Sequence, residues 1–308
     1  MTPACFSRLI PARYGQELLK QAYMFDFPEI VFPLGEWIND IVDWVTKTLA
    51  PFFDVVTEII RTPLVGIEHF LLWLPWWLVI IVFGGLAWKF AGWKIALFAT
   101  LGLAFIGVMG VWDDMLTTLA IVLASVLVSL VIGIPIGIAA SRSDRVYGIV
   151  RPILDFMQTM PAFVYLIPAV FFFGLGKVPA VVATFIYAVP PCIRLTNLGI
   201  RQVPAETVEA GRSFGTTPRQ LLFKIQLPLA IPSIMAGINQ TIMMALAMVV
   251  ICSMIGTAGL GLEVLKGIQR LDFGRAFIAG VSIVIMAMVL DRITQSFGAS
   301  RDTSQRRN

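Results

Sequence analysis

Apolar runs with almost no charge recur along this chain at close to the length that crosses a lipid bilayer. A spanning helix needs roughly 20 mostly apolar residues, because in hydrocarbon every backbone polar group must be satisfied within the segment. Seven runs approach or exceed that length: 70–88, 95–112, 115–140, 156–176, 178–193, 229–255 and 276–290. The last is short, but Arg275 and Asp291 flank it and can snorkel to the headgroups. Hydrophobic residues make up 58% of the chain and charged ones 14%, which excludes an ordinary soluble domain. The sequence predicts an all-α integral membrane protein of about seven transmembrane helices. Residues 70–290 form its membrane domain, 1–69 an N-terminal tail and 291–308 a C-terminal tail.

The basic residues choose an orientation. With the N-terminus outside, fourteen of the 23 Lys and Arg fall in inner segments, and only Lys177, Lys266, Arg270 and Arg275 fall in the short outer loops. That excess favours an extracytoplasmic N-terminus and a cytoplasmic C-terminus. No charged segment leads into an unbroken apolar core near the start, so no cleavable signal peptide is expected. At about 40–60 the pattern changes. Asp40, Asp43, Lys47, Asp54 and Glu58 share one narrow arc, with Ile41, Val45, Leu49, Phe52, Val56 and Ile59 opposite. This predicts an amphipathic helix bent at Pro51, packed on the protein's outer surface or lying in the membrane interface.

Inside the runs, what is missing also constrains function. An ion-coupled transporter places ionisable groups in the bilayer as relays, and the longer runs carry none. No hydrolytic triad or metal-ligand spacing can be assembled. Cys5, Cys192 and Cys252 read as small hydrophobes, and His69, the single histidine, as an interfacial residue. Gly174-Leu175-Gly176-Lys177 lacks the spacing of a phosphate loop and reads as a turn. The chain therefore carries neither catalytic chemistry nor an energy source, and active transport would require ATP hydrolysis by a partner.

Between the fifth and sixth runs lies a polar, basic hook, residues 201–228. Pro204 suits the first turn of a short helix whose Glu206 and Glu209 complement its dipole, and Gly211 and Gly215 permit it to end. Thr217, Pro218 and Gln220 then spell a capping box for a second helix, which Leu227-Pro228 is expected to stop at the membrane. Two short helices joined by a tight turn make a lever for a partner protein, or simply a connection between spans.

Glu209, Ala210, Gly215, Ile225, Leu227 and Pro228 stand at the spacing of the Glu-Ala-Ala, Gly, Ile-x-Leu-Pro motif, with Gly211 in place of its second Ala. In these residues the chain resembles the type I ABC importer permeases. The resemblance runs over roughly 115–290, and Met157-Gln158-Thr159-Met160-Pro161 and Ile255-Gly256-Thr257-Ala258-Gly259 are similar to the glycine betaine/proline, or osmoprotectant, branch. It implies a permease homodimer in the bacterial cytoplasmic membrane, with coupling to cytosolic ATPase subunits through Glu209, Ala210, Gly211, Gly215, Ile225, Leu227 and Pro228. ATP and Mg would bind at the ATPase, and a separate extracytoplasmic solute-binding protein would deliver the solute; no nucleic-acid partner is implied.

For the translocation path, Gln158, Thr159, Asn239, Gln240 and Thr241 are the candidates, since lipid-facing surfaces reject such groups. Hydrogen bonding between helices is their alternative role. The function expected is import of glycine betaine, proline or a related quaternary amine. A permease for another small solute such as an amino acid is the nearest alternative, and a channel or secondary transporter a more distant one.

Overall fold

A computed structural model describes residues 34–305, with side chains described as far as Ser296. Among the described residues there are helices and no strands. Helix α1 (Leu34–Thr48) falls, all but its last residue, in a unit that ends at Lys47. Glu36 in its first turn and Lys47 in its last complement the helix dipole.

The second unit begins at Thr48. The expected amphipathic segment is interrupted at Leu49, and Pro51 occupies the first turn of α2 (Ala50–Trp73), where its missing N–H is no loss. Helix α2 crosses the expected boundary at residue 69 because Ile60, Leu64, Glu68 and Leu71 form one buried stripe. It ends at Leu74-Pro75, and α3 (Trp76–Ala91) leaves at 104°. The run 70–88 is therefore two helices: Leu74 before Pro75 is extended, as a pre-proline residue prefers. Gly92, at φ 94°, turns the chain into α4 (Trp93–Val108), which packs back along α3 as a hairpin.

The remaining helices follow. They are α5 (Trp112–Arg142), α6 (Asp144–Thr159), α7 (Leu166–Phe173), α8 (Lys177–Arg201), α9 (Ala205–Ser213), α10 (Pro218–Leu221), α11 (Leu227–Ile251), α12 (Leu260–Gln269) and α13 (Phe273–Gln305). Four stretches are long and apolar enough to cross a membrane: α5, α8, α10 through α11, and α13 to Ser296. The count rises to six if α2 with α3 and α6 with α7, bent by 104° and 110°, are one span each, and α4 is apolar but shorter. Among the described residues the structure therefore gives four to six candidate spans where the sequence predicts seven.

Two further expectations need correction. The run 156–176 is broken at Met160-Pro161, again at a pre-proline residue, and Tyr165 from the turn beyond donates back to the Met157 carbonyl. The last helix does not end near Leu290 but continues to Gln305, so Asp291 lies inside it.

Helix α8 is the axis of the bundle, packed between α5 and α11. Small residues permit this. A Cβ at Gly133 would lie 3.0 Å from Val189 Cγ2, and one at Gly137 2.9 Å from the Ile193 carbonyl oxygen. On the other side Gly237 backs onto Pro191 and Cys192, as close helix approach in a membrane requires. Met115, Leu116, Leu119, Val181, Met248 and Leu260 fill the main core.

Candidate functional site

The hook folds from local signals. Pro204 is the N-cap of α9 rather than a residue of its first turn. At the other end Gly215 adopts φ 75°, with its N–H donating to the Arg212 carbonyl at 2.9 Å and that of Thr216 to Gly211 at 3.4 Å. This paired pattern is a Schellman cap, which requires a left-handed residue where Gly215 stands. The Thr216 hydroxyl adds a third bond to the Gly211 carbonyl, at 2.8 Å. Thr217 and Gln220 then form the expected capping box, at 3.3 and 2.9 Å, with Pro218 in the first turn of α10.

Leu227-Pro228 does not stop the second hook helix. The stretch from Pro218 to Ile255 is continuous, because Leu222–Gln226 forms a π turn in which the Leu227 N–H reaches back to Leu222. Proline at 228 has no N–H for the Lys224 carbonyl and its ring crowds that group; the wider turn absorbs both problems. The hook is therefore rigidly continuous with a membrane span at its far end.

The motif residues form two groups. Gly211 is buried, and a Cβ there would lie 2.6 Å from Ile225 Cδ1 and 3.0 Å from Leu221 Cδ1. The glycine thus lets α9 close on the π turn, bringing both halves of the motif together. Leu227 and Pro228 are half-buried where α11 begins. Glu209 and Ala210 point outward. Glu209 makes no ion pair among the described residues and lines a cleft of about 450 Å³ with Ser141, Arg142, Arg201, Arg212 and Gln226. Phe214 at the tip is 89% exposed, and Phe223 is also exposed. A phenylalanine next to the capping glycine was not singled out in the sequence, although its polar setting marks it as misplaced for packing.

Arg201, counted only as a basic residue in the sequence, organises the base of the hook. Its guanidinium donates to Asn197 Oδ1 and the Ala140 carbonyl, both at 2.9 Å, pairs with Asp144 at 2.8 Å and lies 4.9 Å from the Tyr147 ring. It ties the end of α8 to the turn between α5 and α6, so a shift of the hook reaches three helices.

The path candidates divide. Asn239 Nδ2 donates to Asp291 at 3.1 Å, and its carbonyl oxygen accepts from Thr294, so it joins α11 to α13. Thr241 is buried with its hydroxyl unpartnered, and Gln240 is exposed. Gln158 and Thr159 sit in the last turn of α6, exposed, with Gln158 accepting from Arg194 and Thr159 donating to the Phe156 carbonyl at 2.9 Å. The two sets are held by different neighbours.

At the opposite end from the hook, Lys177 pairs with buried Glu68 at 2.5 Å, and Thr117 donates to the same carboxylate at 3.2 Å. Nearby on α12, Glu263 is buried, which by itself raises its pKa. Hydrogen bonds from Lys266 and Arg275 and their charges outweigh burial and hold it below the usual carboxylate range.

Residues 129–301 match the family described as binding-protein-dependent transport system inner membrane component. The chain is 51% identical over 282 residues to the glycine betaine/proline betaine transport system permease protein ProW of Escherichia coli, covering 92% of this chain and 79% of that one. It is 53% identical over 264 residues to the glycine betaine transport system permease protein OpuAB of Bacillus subtilis, covering 86% and 94%. Among solved structures, the inward-facing MetNI methionine ABC transporter superposes with a TM-score of 0.53 at 23% identity, over 66% of this chain and 96% of that one. That likeness is one of fold.

Proposed function

This chain belongs to the family of binding-protein-dependent inner-membrane permeases of ABC transporters, and from that premise we propose that it imports glycine betaine or a closely related quaternary amine. The observation that carries the substrate is the identity of 51% and 53% to permeases named for glycine betaine over most of both chains. A multi-pass helical bundle with few charges in its spans suits a net-neutral solute, because an anion would need fixed counter-charges along its path.

In this reading two copies of the permease pair in the membrane, each hook seated in a cytosolic ATPase subunit and a separate binding protein docking outside. ATP and Mg act at the ATPase. Nucleotide binding draws the hooks together, and the continuous helix from Pro218 to Ile255 carries that movement into the span. Glu209, with no ion pair among the described residues, and Phe214, at the tip, would meet the ATPase. Solute selection lies largely in the binding protein, where aromatic rings hold a quaternary ammonium. The N-terminus lies outside and the hook inside, as the basic residues favour.

Deleting the gene from cells lacking other importers should abolish most uptake of labelled glycine betaine at high osmolarity. Unchanged betaine uptake with loss of an unrelated solute overturns the substrate. For orientation, cysteine in place of exposed Leu271 should react with an impermeant thiol reagent in intact cells after Cys5 is replaced, and cysteine in place of Phe214 should not. The reverse pattern overturns the topology.

A further inference from the structure

An ion pair joins α6 to α8. Arg194 lies on α8 two turns before Arg201, about 10 Å along the helix from the end that carries the hook. Its guanidinium pairs with Asp155 at 2.5 Å and donates to Gln158 on the same face of α6. Arg151 lies 3.9 Å from the other oxygen of Asp155. Arg194, Asp155 and Arg151 line a cleft of about 360 Å³ together with Tyr147 and Asn197. Neither member of the pair is sealed: the side chains of Arg194 and Asp155 are 38% and 56% exposed.

Charged groups on membrane-crossing helices do not face acyl chains; they face protein or a water-filled path. The pair also sits where a membrane helix is broken, since α6 ends at Thr159 and α7 departs at 110°. The last turn of α6 carries partial negative charge on its carbonyl groups, an arrangement that favours a cation, while the guanidinium favours an anion. An exposed ion pair contributes little to stability, so it opens readily. A zwitterion can enter it without changing the net charge, its carboxylate taking the place of Asp155 on Arg194 and its cationic head settling on the freed Asp155. An anion or a cation alone would leave one of the two charges unmatched.

We propose that the Arg194–Asp155 pair is a low-affinity docking site for a zwitterionic solute on the hook side of the translocation path, with Arg194 receiving the carboxylate and Asp155 the quaternary ammonium. This rests on the betaine reading above. The site would catch the solute after its release from the binding protein and let it go easily.

The test uses the purified permease with its ATPase in lipid nanodiscs, without binding protein, and equilibrium dialysis at millimolar labelled glycine betaine. Choline, which has the same ammonium head and no carboxylate, is the second probe. The native complex should bind betaine about tenfold more tightly than choline. Arg194→Gln should remove that preference by weakening betaine about tenfold and choline less than about twofold. Arg194→Lys should restore part of the betaine binding, and Asp155→Asn should weaken both probes. No betaine binding by the native complex, unchanged binding in Arg194→Gln, or an equal loss of both probes in the folded Arg194→Gln and Arg194→Lys complexes overturns the site. Cellular betaine uptake by the native protein separates the two claims: uptake without this binding defect removes the docking site alone, whereas absent uptake removes the substrate reading.

Discussion

Replacing Gly215 separates the cap of the hook from the rest of the fold. A Cβ at this position meets no atom within 4 Å, so a substitution acts through the backbone, which stands at φ 75°. Alanine in that conformation costs about 1 kcal/mol, and β-branched valine about 3 kcal/mol, the upper end for a non-glycine residue held there. Against this stand the three bonds that the cap makes, Gly215 to Arg212 and Thr216 twice to Gly211. At about 1 kcal/mol net for each, they outweigh the alanine strain and only match that of valine. The cap should survive Gly215→Ala, survive more fully Gly215→Asn, and open in Gly215→Val. Global melting should change little, because the hook tip is exposed. Solute-stimulated ATP hydrolysis and uptake in membrane vesicles should fall in the order Asn, Ala, Val, with the valine variant losing most coupling while still inserting. Native coupling in Gly215→Val, or equal loss in all three, refutes the cap as the coupling element.

Three other outcomes follow from the packing and the charges. Gly137→Ala places a Cβ 2.9 Å from the Ile193 carbonyl oxygen, so α5 and α8 must part; melting in detergent should drop by about 1–3 kcal/mol, whereas Gly148→Ala, with nothing within 4 Å, should not. Glu263 has a lowered pKa, so its contribution is fully present above the ordinary glutamate value of 4.5 and fades as pH falls from there through its folded pKa. Melting curves from about pH 6 to about pH 3.5 should show this acid loss in the native protein and less of it in Glu263→Gln. Arg201→Ala should leave the ATPase bound in co-purification yet lower the uptake achieved per ATP, since Arg201 ties α8 to the turn between α5 and α6.

The hook was largely legible in the sequence because its signals are local. Thr217, Pro218 and Gln220 specify a cap within four residues, and Gly215 specifies a left-handed turn wherever it stands after a short helix. The helix beyond Pro228 was misjudged, since a π turn depends on the spacing of carbonyls that single-residue propensity does not encode. The apolar runs likewise announced membrane helices but not their breaks: Pro75 and Pro161 interrupt runs that carry no charge. Asn239 read as a polar group in an apolar span, but its partners Asp291 and Thr294 lie more than fifty residues away. Arg194 and Arg201 were visible only as topogenic charge, because their other role depends on how α6 folds against α8.

The central claim is that this permease couples ATP hydrolysis in a partner to solute import. It is tested most directly by reconstituting the chain with its ATPase and binding protein in liposomes that enclose ATP and Mg, and following labelled glycine betaine. Binding protein would be outside and the hooks, with their ATPase, within. The account predicts accumulation above the external concentration that requires internal ATP and is lost with Gly215→Val. Betaine that merely equilibrates, or that enters equally well without ATP, would contradict it.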